Sequence, residues 1–249
     1  MTTAPSEEAR HAPFDFRRNG LLAGCPQECL REFGPYFAAV SVQPGDILYE
    51  LREPPAFVYF PLTFTVSLIN ALPSGHTAQM AVVGCEGAVG IGAVLGGGAM
   101  ATRALVQTAG EGVRIEAGLV RKEFERGGVL NRLLVRYTQA LIAQISQTSI
   151  CAKHHSPEQQ LCRWLLLTLD RMHSSDLMMT HDMIGMLLGL RRETVTETIH
   201  KLEARQLIVH GRKHLHVCDR LGLEAAACSC YRVVRDEYAS LLPSRPAPG

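Results

Sequence analysis

The stretch 180–208 restricts the possible fold more than any other part of the chain. Thr180 can cap a short helix by accepting a backbone N–H at its start. Gly189 suits the left-handed residue that ends a helix, and a second helix is predicted over residues 191–205. Gly185 is small enough to let the two helices cross closely over a short turn. The stretch therefore predicts a helix-turn-helix.

The hydrophobic pattern of both helices supports this prediction. A set of apolar residues falls at the spacing that two crossing helices bury, namely Ile184, Leu188, Leu190, Val195, Ile199 and Leu202. The opposite face of the second helix carries Arg192, Glu193, Thr196, Glu197 and His200. The second helix is thus amphipathic, with polar side chains available to a partner.

The second helix begins with two cations, although a helix N-terminus favours anions. Docking of this N-terminus in the major groove of DNA would explain Arg191 and Arg192, because phosphates and base edges there accept hydrogen bonds. An arginine can pair with guanine through two hydrogen bonds, and a glutamate such as Glu193 can accept from cytosine. Arg191 is assigned to a phosphate and Arg192 to a base edge. The alternative is an ordinary solvated helix face on which Glu193 complements the dipole.

The sequence after the second helix, "LIVHGRKHLHV", predicts a hairpin that turns at Gly211. Arg212 and Lys213 at its tip would touch phosphates, as in a wing. The net charge of the chain is only +1, so nucleic-acid binding has to come from a local patch. The predicted DNA-contacting residues are Thr180, Arg191, Arg192, Glu193, Thr196, Glu197, His200, Lys201, Arg212 and Lys213.

Residues 40–116 have a different hydrophobic pattern from the rest of the chain. Short apolar runs alternate with turn residues, which predicts an antiparallel β domain and an α+β chain overall. The segment 84–98 is rich in glycine, which serves either tight turns or the close approach of a ligand.

A long helix is predicted from Val129 to about His154, after a break at the two glycines 127–128. Steps of four and three residues along it define a seam, formed by Leu130, Leu134, Tyr137, Leu141, Gln144, Thr148 and Cys151. A parallel helix of a second copy is the favoured partner of this seam, because twofold dimers are the commonest oligomers. The chain's own β domain is the alternative partner.

A domain boundary is predicted near residue 155, where Ser156 and Gln159 can form a capping box. The expected organisation is a disordered tail (residues 1–20), a sensor domain (21–122), a dimerisation helix (123–155), a winged helix-turn-helix (156–220) and a C-terminal helical extension with a tail (221–249). No apolar run is long enough to span a membrane, and the N-terminus lacks a signal-peptide pattern. A cytoplasmic location is therefore expected.

The chain contains eight cysteines, which are expected to be reduced in the cytoplasm. Their spacings, including Cys25 to Cys29 and Cys228 to Cys230, do not match the paired Cys-x-x-Cys pattern of structural zinc sites. No metal site is therefore predicted, although Cys151 with His154 and His155 remains a possible ligand cluster. A catalytic constellation is not recognisable either, so the chain is not expected to be an enzyme.

The order of a β domain, a long helix and a winged helix ending "RRETVTETIHKLEARQLI" resembles the cyclic-AMP receptor/fumarate-nitrate regulator (Crp/Fnr) family. The resemblance covers residues 21–240 and includes "RETV" at 192–195 and "LI" at 207–208. It implies a homodimer with a cyclic-nucleotide-binding-like β-roll (a jelly roll) as sensor, a pseudo-palindromic DNA site, and RNA polymerase as a further partner. It also implies that Arg192 and Glu193 contact base edges.

The chain departs from this family at two places. Glu197 stands where the best-known members carry an arginine, so a different DNA sequence is expected. The residues matching the nucleotide pocket are Gly90, Ile91, Gly92, Thr102 and Arg103, with Ile91 in place of a glutamate and Arg103 displaced by one residue. Cyclic AMP is therefore not expected as the ligand, and the effector is not identified. An alternative hypothesis is a regulator that senses redox state or metal through cysteines and histidines.

Overall fold

The computed structural model describes residues 15–96, 98–172 and 174–243. It begins with a 3₁₀ turn and two short helices, α1 (Gly20–Ala23) and α2 (Gln27–Phe33). The predicted disordered tail 1–20 is therefore wrong for its last six residues, while residues 1–14 lie outside the described part. Asn19 is fully buried, and its amide donates to the carbonyls of Pro61 (3.0 Å) and Gly87 (2.8 Å). These bonds fasten the segment to the β domain.

The β domain consists of two antiparallel sheets that share one hydrophobic core. The strands of the domain are β1 (Ala38–Val42), β2 (Ile47–Tyr49), β3 (Phe57–Pro61), β4 (Thr65–Ala71), β5 (Thr77–Val83), β6 (Arg103–Thr108) and β7 (Gly110–Glu116). One sheet has the order β1-β7-β3, and the other has the order β2-β6-β4-β5. β5 is thus one of the two edge strands of the four-stranded sheet.

The β domain contains the short helix α3 (Gly92–Leu95) between β5 and β6. Two further helices, α4 (Ala117–Glu125) and the long α5 (Val129–His154), connect the domain to the rest of the chain. Gly127 separates α4 from α5 with a φ of 75°, at the predicted break. The α+β fold class and the long helix are therefore confirmed.

The predicted seam of α5 packs inside its own subunit. Tyr137 is fully buried, and its hydroxyl donates to the carbonyl of Ala88 (3.1 Å). A Cβ on Gly87 would lie 2.4 Å from the Tyr137 ring, so this glycine permits the contact. The polar seam residue Gln144 donates to the carbonyl of Val82 (3.2 Å). Within the glycine-rich segment, Gly87 thus allows the close packing of Tyr137.

The assignment of this seam to a second copy is therefore corrected. Leu130, Leu134, Tyr137, Leu141, Gln144 and Cys151 are buried within one chain and Thr148 is partly buried. Heptad spacing shows that one face of a helix is covered, and here the β domain and the C-terminal helix cover it. The solvent-facing side of α5 carries other large apolar residues, namely Val135, Ile142 and Ile150.

The remaining chain forms the helix-turn-helix unit and two further helices. Its elements are α6 (Pro157–Leu169), β8 (Asp176–Leu177), α7 (His181–Leu188), α8 (Arg192–Ala204), β9 (Ile208–His210), β10 (Leu215–Val217), α9 (Arg220–Ala226) and α10 (Ser229–Leu241). The capping box of Ser156 and Gln159 starts α6 as predicted. β9 and β10 form the hairpin that the sequence predicts, and the short strand β8, which the sequence did not indicate, joins them in a small sheet.

The helix-turn-helix unit rests on the sensor sheet as well as on α5. The indole N–H of Trp164 in α6 donates to Gln79 Oε1 of β5 (2.7 Å). The first helix of the pair, α7, also lies against β5, where the Thr77 hydroxyl donates to the carbonyl of Met186 (3.5 Å). Two helices of the unit therefore contact this edge strand of the sensor.

Across the described ranges, every helix is too short or too polar to cross a membrane.

Candidate nucleic-acid interface

The helix pair is built from local sequence signals. The Thr180 hydroxyl accepts the backbone N–H of Met183 (3.2 Å) and caps α7. Gly189 ends α7 with a φ of 67°. A Cβ on Gly185 would lie 2.8 Å from the carbonyl oxygen of Leu190, so only glycine permits this crossing without a shift.

The predicted apolar residues hold α7 and α8 together. Ile184, Val195, Ile199 and Leu202 are buried. Leu188 and Leu190 are only half-buried, whereas the adjacent Leu187 is buried. The packing fixes the rotation of α8, so its opposite face points outward.

The outward face of α8 is exposed over its whole length. Its exposed residues are Arg191, Arg192, Glu193, Glu197, His200 and Lys201. Arg191 is the N-cap residue of α8, and within the described residues it forms no ion pair or side-chain hydrogen bond. A guanidinium free in this way at a helix N-terminus can reach an external anion.

Arg192 is held by a residue that the sequence did not single out as its partner. Its guanidinium lies 3.4 Å from the Asp182 carboxylate in the first turn of α7. Both side chains are 65% exposed, so this pair contributes little to stability. Asp182 therefore positions Arg192 at the surface without burying it.

Thr196 is less available than predicted. It is half-buried, and its hydroxyl donates to the carbonyl of Arg192 (3.0 Å) and lies 2.8 Å from His181 Nδ1. The His181 ring packs against the ring of His210, with centroids 4.4 Å apart. Thr196 therefore serves contacts within the unit, which the spacing on α8 alone could not show.

Desolvation lowers the pKa of His181 below its ordinary value of 6.5, and the nearby His210 and Arg192 lower it further. The neutral imidazole is thus the form that the folded unit favours. No sequence motif marks this pair, because His181 and His210 meet only through the turn and the wing.

The wing places its two cations at an exposed tip. The backbone N–H of Gly211 donates to the carbonyl of His214 (2.7 Å) and closes the turn, where Arg212 and Lys213 are exposed. Asp176 of β8 fixes the base, because both His216 Nδ1 and His214 Nε2 lie 2.8 Å from its carboxylate. Hydrogen bonding from His216 and then from His214 lowers the pKa of Asp176.

The exposed end of α8 and the tip of the wing together form a surface rich in hydrogen-bond donors. The cations on this surface are Arg191 and Arg192 at the start of α8 and Lys201 further along the helix. The acceptors are Glu193 and Glu197. Helix N-termini and backbone amides of this kind contact phosphates, and paired donors and acceptors read base edges.

A comparison with protein-family models matches residues 159–226 to the Crp-like helix-turn-helix domain. The chain carries a Crp-like helix-turn-helix domain. The matched segment runs from α6 to α9 and includes every predicted DNA-contacting residue.

Solved structures of Crp/Fnr regulators share the fold. FixK2 from Bradyrhizobium japonicum is 18% identical, with a TM-score of 0.64 over 77% of this chain and 98% of that one. A CRP-family transcriptional regulator from Thermus thermophilus is 19% identical, with a TM-score of 0.61 over 76% of this chain and 96% of that one. A putative Crp/Fnr regulator from Eubacterium rectale is 12% identical, with a TM-score of 0.63 over 84% of this chain and 98% of that one.

A search of curated protein sequences finds no match to the chain. The domain match and the shared architecture confirm the predicted resemblance to the Crp/Fnr family. They support a DNA-binding transcription regulator of this type.

The predicted effector residues are engaged in contacts of their own. Ile91 is buried. Arg103 forms an ion pair with Glu50 (2.8 Å), and the Thr102 hydroxyl lies 3.4 Å from the hydroxyl of Tyr49. The Arg103 guanidinium, expected to be displaced from the nucleotide-binding position by one residue, thus faces a carboxylate of the same chain.

The glycines of the predicted pocket also have packing roles. A Cβ on Gly90 would lie 2.6 Å from the carbonyl oxygen of Phe57, and one on Gly92 would lie 2.3 Å from the sulfur of Met100. Arg121 donates from Nε to the carbonyl of Ala93 (3.0 Å) at the short helix α3. The backbone of Phe57 and the side chain of Met100 therefore occupy the space close to these glycines.

Proposed function

We propose that the chain is a sequence-specific DNA-binding transcription regulator that acts as a homodimer and reads a pseudo-palindromic site with α8. The observation that carries this proposal is the exposed start of α8, where Arg191, Arg192 and Glu193 stand on a rigidly packed helix. A helix of this kind fits the major groove of B-DNA, and a twofold dimer presents two such helices.

Each side chain at this end has a distinct role in the proposed complex. Arg191 pairs with a phosphate, which fixes the position of the helix. Arg192 leaves the weak pair with Asp182 and reads a base edge, while Glu193 accepts from cytosine. Glu197 lies one turn further on and faces a base or solvent, because a carboxylate repels phosphate. Further contacts at the edges of the DNA interface come from Thr180, His200 and Lys201 and from the wing cations Arg212 and Lys213.

The dimer interface is proposed on the exposed side of α5. Val135, Ile142 and Ile150 are each about half exposed on this helix although they are large and apolar. Val135 and Ile142 are seven residues apart, so they lie on one stripe that a parallel helix can cover. This stripe replaces the buried seam as the surface that meets a second copy.

We propose further that the β-roll does not bind cyclic AMP. The apolar Ile91 cannot accept a hydrogen bond from a ribose hydroxyl, and Arg103 is paired with Glu50. The effector remains unassigned by these residues. RNA polymerase is a further partner by family resemblance, with no residue assigned to it.

The DNA proposal is tested by selecting bound sites from random duplex DNA with the purified full chain. The expected result is an inverted repeat whose half-sites lie about 34 Å apart, one helical turn. The affinity for the selected site and for a scrambled duplex is measured across salt concentrations. This comparison separates the sequence-specific contribution to the binding free energy from the electrostatic contribution. Equal and strongly salt-dependent affinity for both duplexes would overturn the proposal of sequence-specific reading.

The sensor proposal is tested by calorimetric titration of the same protein with cyclic AMP. No saturable heat and no change in melting temperature are expected. Saturable binding that is lost in Arg103→Ala would show that the pocket is functional and would contradict the proposal.

A further inference from the structure

Four potential metal ligands from distant parts of the sequence meet at the junction between α5, α6 and α10. They are Cys151 in the last turn of α5, His155 immediately after that helix, Cys228 at the N-cap of α10 and Cys230 in its first turn. All of their ligand atoms lie within 4.8 Å of one another. The sequence pointed to Cys151 with His154 and His155, and the structure brings His155, not His154, into this cluster.

Two of the distances in the cluster are close to those of a tetrahedral zinc site. With Zn–S bonds of about 2.3 Å and Zn–N bonds of about 2.0–2.1 Å, a tetrahedron separates two sulfurs by about 3.8 Å and a sulfur from a nitrogen by about 3.6 Å. Cys151 Sγ lies 3.5 Å from Cys228 Sγ, and Cys230 Sγ lies 3.6 Å from His155 Nδ1. An ion can therefore enter with only small movements of the side chains.

The surroundings suit a closed site with anionic sulfurs. The three cysteines are almost completely buried and form a small cluster of their own, apart from the main core. Cys228 is the N-cap residue of α10, and the backbone N–H of Cys230 points to the Cys228 sulfur, so both the helix dipole and a hydrogen bond favour a thiolate at Cys228. The buried Arg163 adds a positive charge nearby, while its Nε has no hydrogen-bond partner within the described residues.

The same contacts set these thiols apart from the other buried cysteines. A hydrogen bond from Cys151 lowers the pKa of Cys228, and hydrogen bonding to Cys228 together with burial raises that of Cys151. By contrast, burial raises the pKa of Cys25 and of Cys162 to about 12, so these two thiols are protonated and unreactive.

We propose that Cys151, His155, Cys228 and Cys230 bind one zinc ion in a structural site of the Cys₃His type. The ligands bind as thiolates, so the thiol protons of Cys151 and Cys230 pass to solvent when the ion replaces the hydrogen bond between Cys151 and Cys228. Four protein ligands complete the tetrahedron and leave no open position, so the ion holds the end of α5 to the start of α10. This site is independent of DNA recognition by α8.

The experiment is elemental analysis of the full chain, purified under reducing conditions without a histidine tag and supplied with zinc alone. About one zinc ion per chain is expected. Cys228→Ser and Cys230→Ser are expected to lose it, whereas the controls Cys218→Ser (exposed) and Cys162→Ser (buried in α6) are expected to keep it. Undiminished zinc in both ligand variants would overturn the proposal, as would reduced wild-type protein that takes up no zinc.

Two measurements on the wild-type chain keep the test decisive if the variants fail to fold. Replacement of zinc by cobalt(II) is expected to produce thiolate charge-transfer bands and the intense visible bands of a tetrahedral ion, and the weak spectrum of an octahedral ion would contradict the site. Removal of zinc by a chelator is expected to lower the melting temperature. The reduced and re-purified protein, free of metal, can also be exposed to air. A Cys151–Cys228 disulfide that forms in this protein, together with failure of the reduced protein to take up zinc, would assign these sulfurs to each other instead.

Discussion

At the scale of single residues, the two arginines at the start of α8 have different surroundings. Arg191 has no partner within the described chain, whereas Arg192 lies against Asp182. This difference matches the two roles proposed for them, since a cation without a partner can follow a phosphate, and the weak pair with Asp182 holds Arg192 at the surface until it meets a base.

Replacement of Arg192 by alanine is expected to cost about 1–3 kcal/mol of binding free energy at one base position of the selected site, because a bidentate contact with guanine is lost. Arg191→Ala is the matched variant and is expected to weaken binding to all duplexes uniformly with a smaller salt dependence. Competition binding with single-base variants of the site measures both. A uniform loss in Arg192→Ala would instead assign this residue to a phosphate.

Two glycines carry the geometry of the turn, and their replacement tests it. Gly189→Ala is expected to lower the free energy of unfolding by about 1–2 kcal/mol, because φ is 67° there. Gly185→Ala places a Cβ 2.8 Å from the carbonyl oxygen of Leu190 and requires a shift of backbone, so a larger loss is expected. Urea unfolding measures both changes.

Gly118→Ala is the control for these variants. Gly118 lies in α4 with open space around its Cβ position, so a neutral or slightly favourable effect of about 0.5–1 kcal/mol is expected. If all three substitutions had the same effect, the close crossing of α7 and α8 would not be the reason for glycine at position 185.

At the scale of elements, the helix-turn-helix could be predicted almost completely because its signals are local. Thr180, Gly185 and Gly189 each act within a few residues of their own position, and a single sequence shows them. The contact of Thr196 with His181 could not be predicted in this way, because it depends on how α7 and α8 cross.

The long helix shows a different limit of sequence reasoning. The apolar periodicity correctly identified which face of α5 is covered, but not what covers it. A β domain of the same chain and a helix of a second copy require the same apolar spacing. Gln144 illustrates this, because its side chain bonds to Val82 and to Tyr238 (3.0 Å) of the same chain. The cysteine cluster was missed for the same reason, as Cys151 and Cys228 are 77 residues apart.

The pair formed by His181 and His210 predicts a pH dependence for this element. Desolvation first, and then His210, Arg192 and His200, lower the pKa of His181, while Asp182 opposes them. The folded state therefore binds fewer protons than the unfolded state below the ordinary value of 6.5, so stability is expected to fall as the pH drops through this value.

Urea unfolding of the full chain at several pH values between about 5.5 and 7.5, one unit either side of the ordinary histidine value, measures this effect. His181→Gln is expected to reduce the loss of stability at low pH, because glutamine does not titrate. His76→Gln is the control, because His76 is an exposed histidine outside the helix-turn-helix. An unchanged pH profile in His181→Gln would assign the loss to other groups.

At the scale of the whole molecule, the proposed dimer depends on the exposed side of α5. Ile142→Glu is expected to shift the chain from dimer to monomer, because it places a charge in the centre of an apolar stripe facing its own copy. Sedimentation velocity measures the change. DNA affinity is expected to fall in parallel, since one helix-turn-helix reaches only one half-site.

Val233→Glu is the control for this variant, because Val233 is an apolar residue of α10 with a comparable exposure of 46%. It is expected to leave the oligomeric state unchanged. Dimers that persist in Ile142→Glu, or dissociate equally in Val233→Glu, would move the interface away from this stripe.

The position of α6 and α7 against β5 has a consequence for aggregation. β5 ends the sheet order β2-β6-β4-β5, so one side of its backbone has no strand partner within the described residues. Unpaired strand edges associate readily with other chains. A swing of the helix-turn-helix unit away from the sensor would uncover β5, and the contact between Trp164 and Gln79 opposes that exposure. The packing that positions the DNA-reading helix thus also shields the sensor from sheet-to-sheet association between molecules.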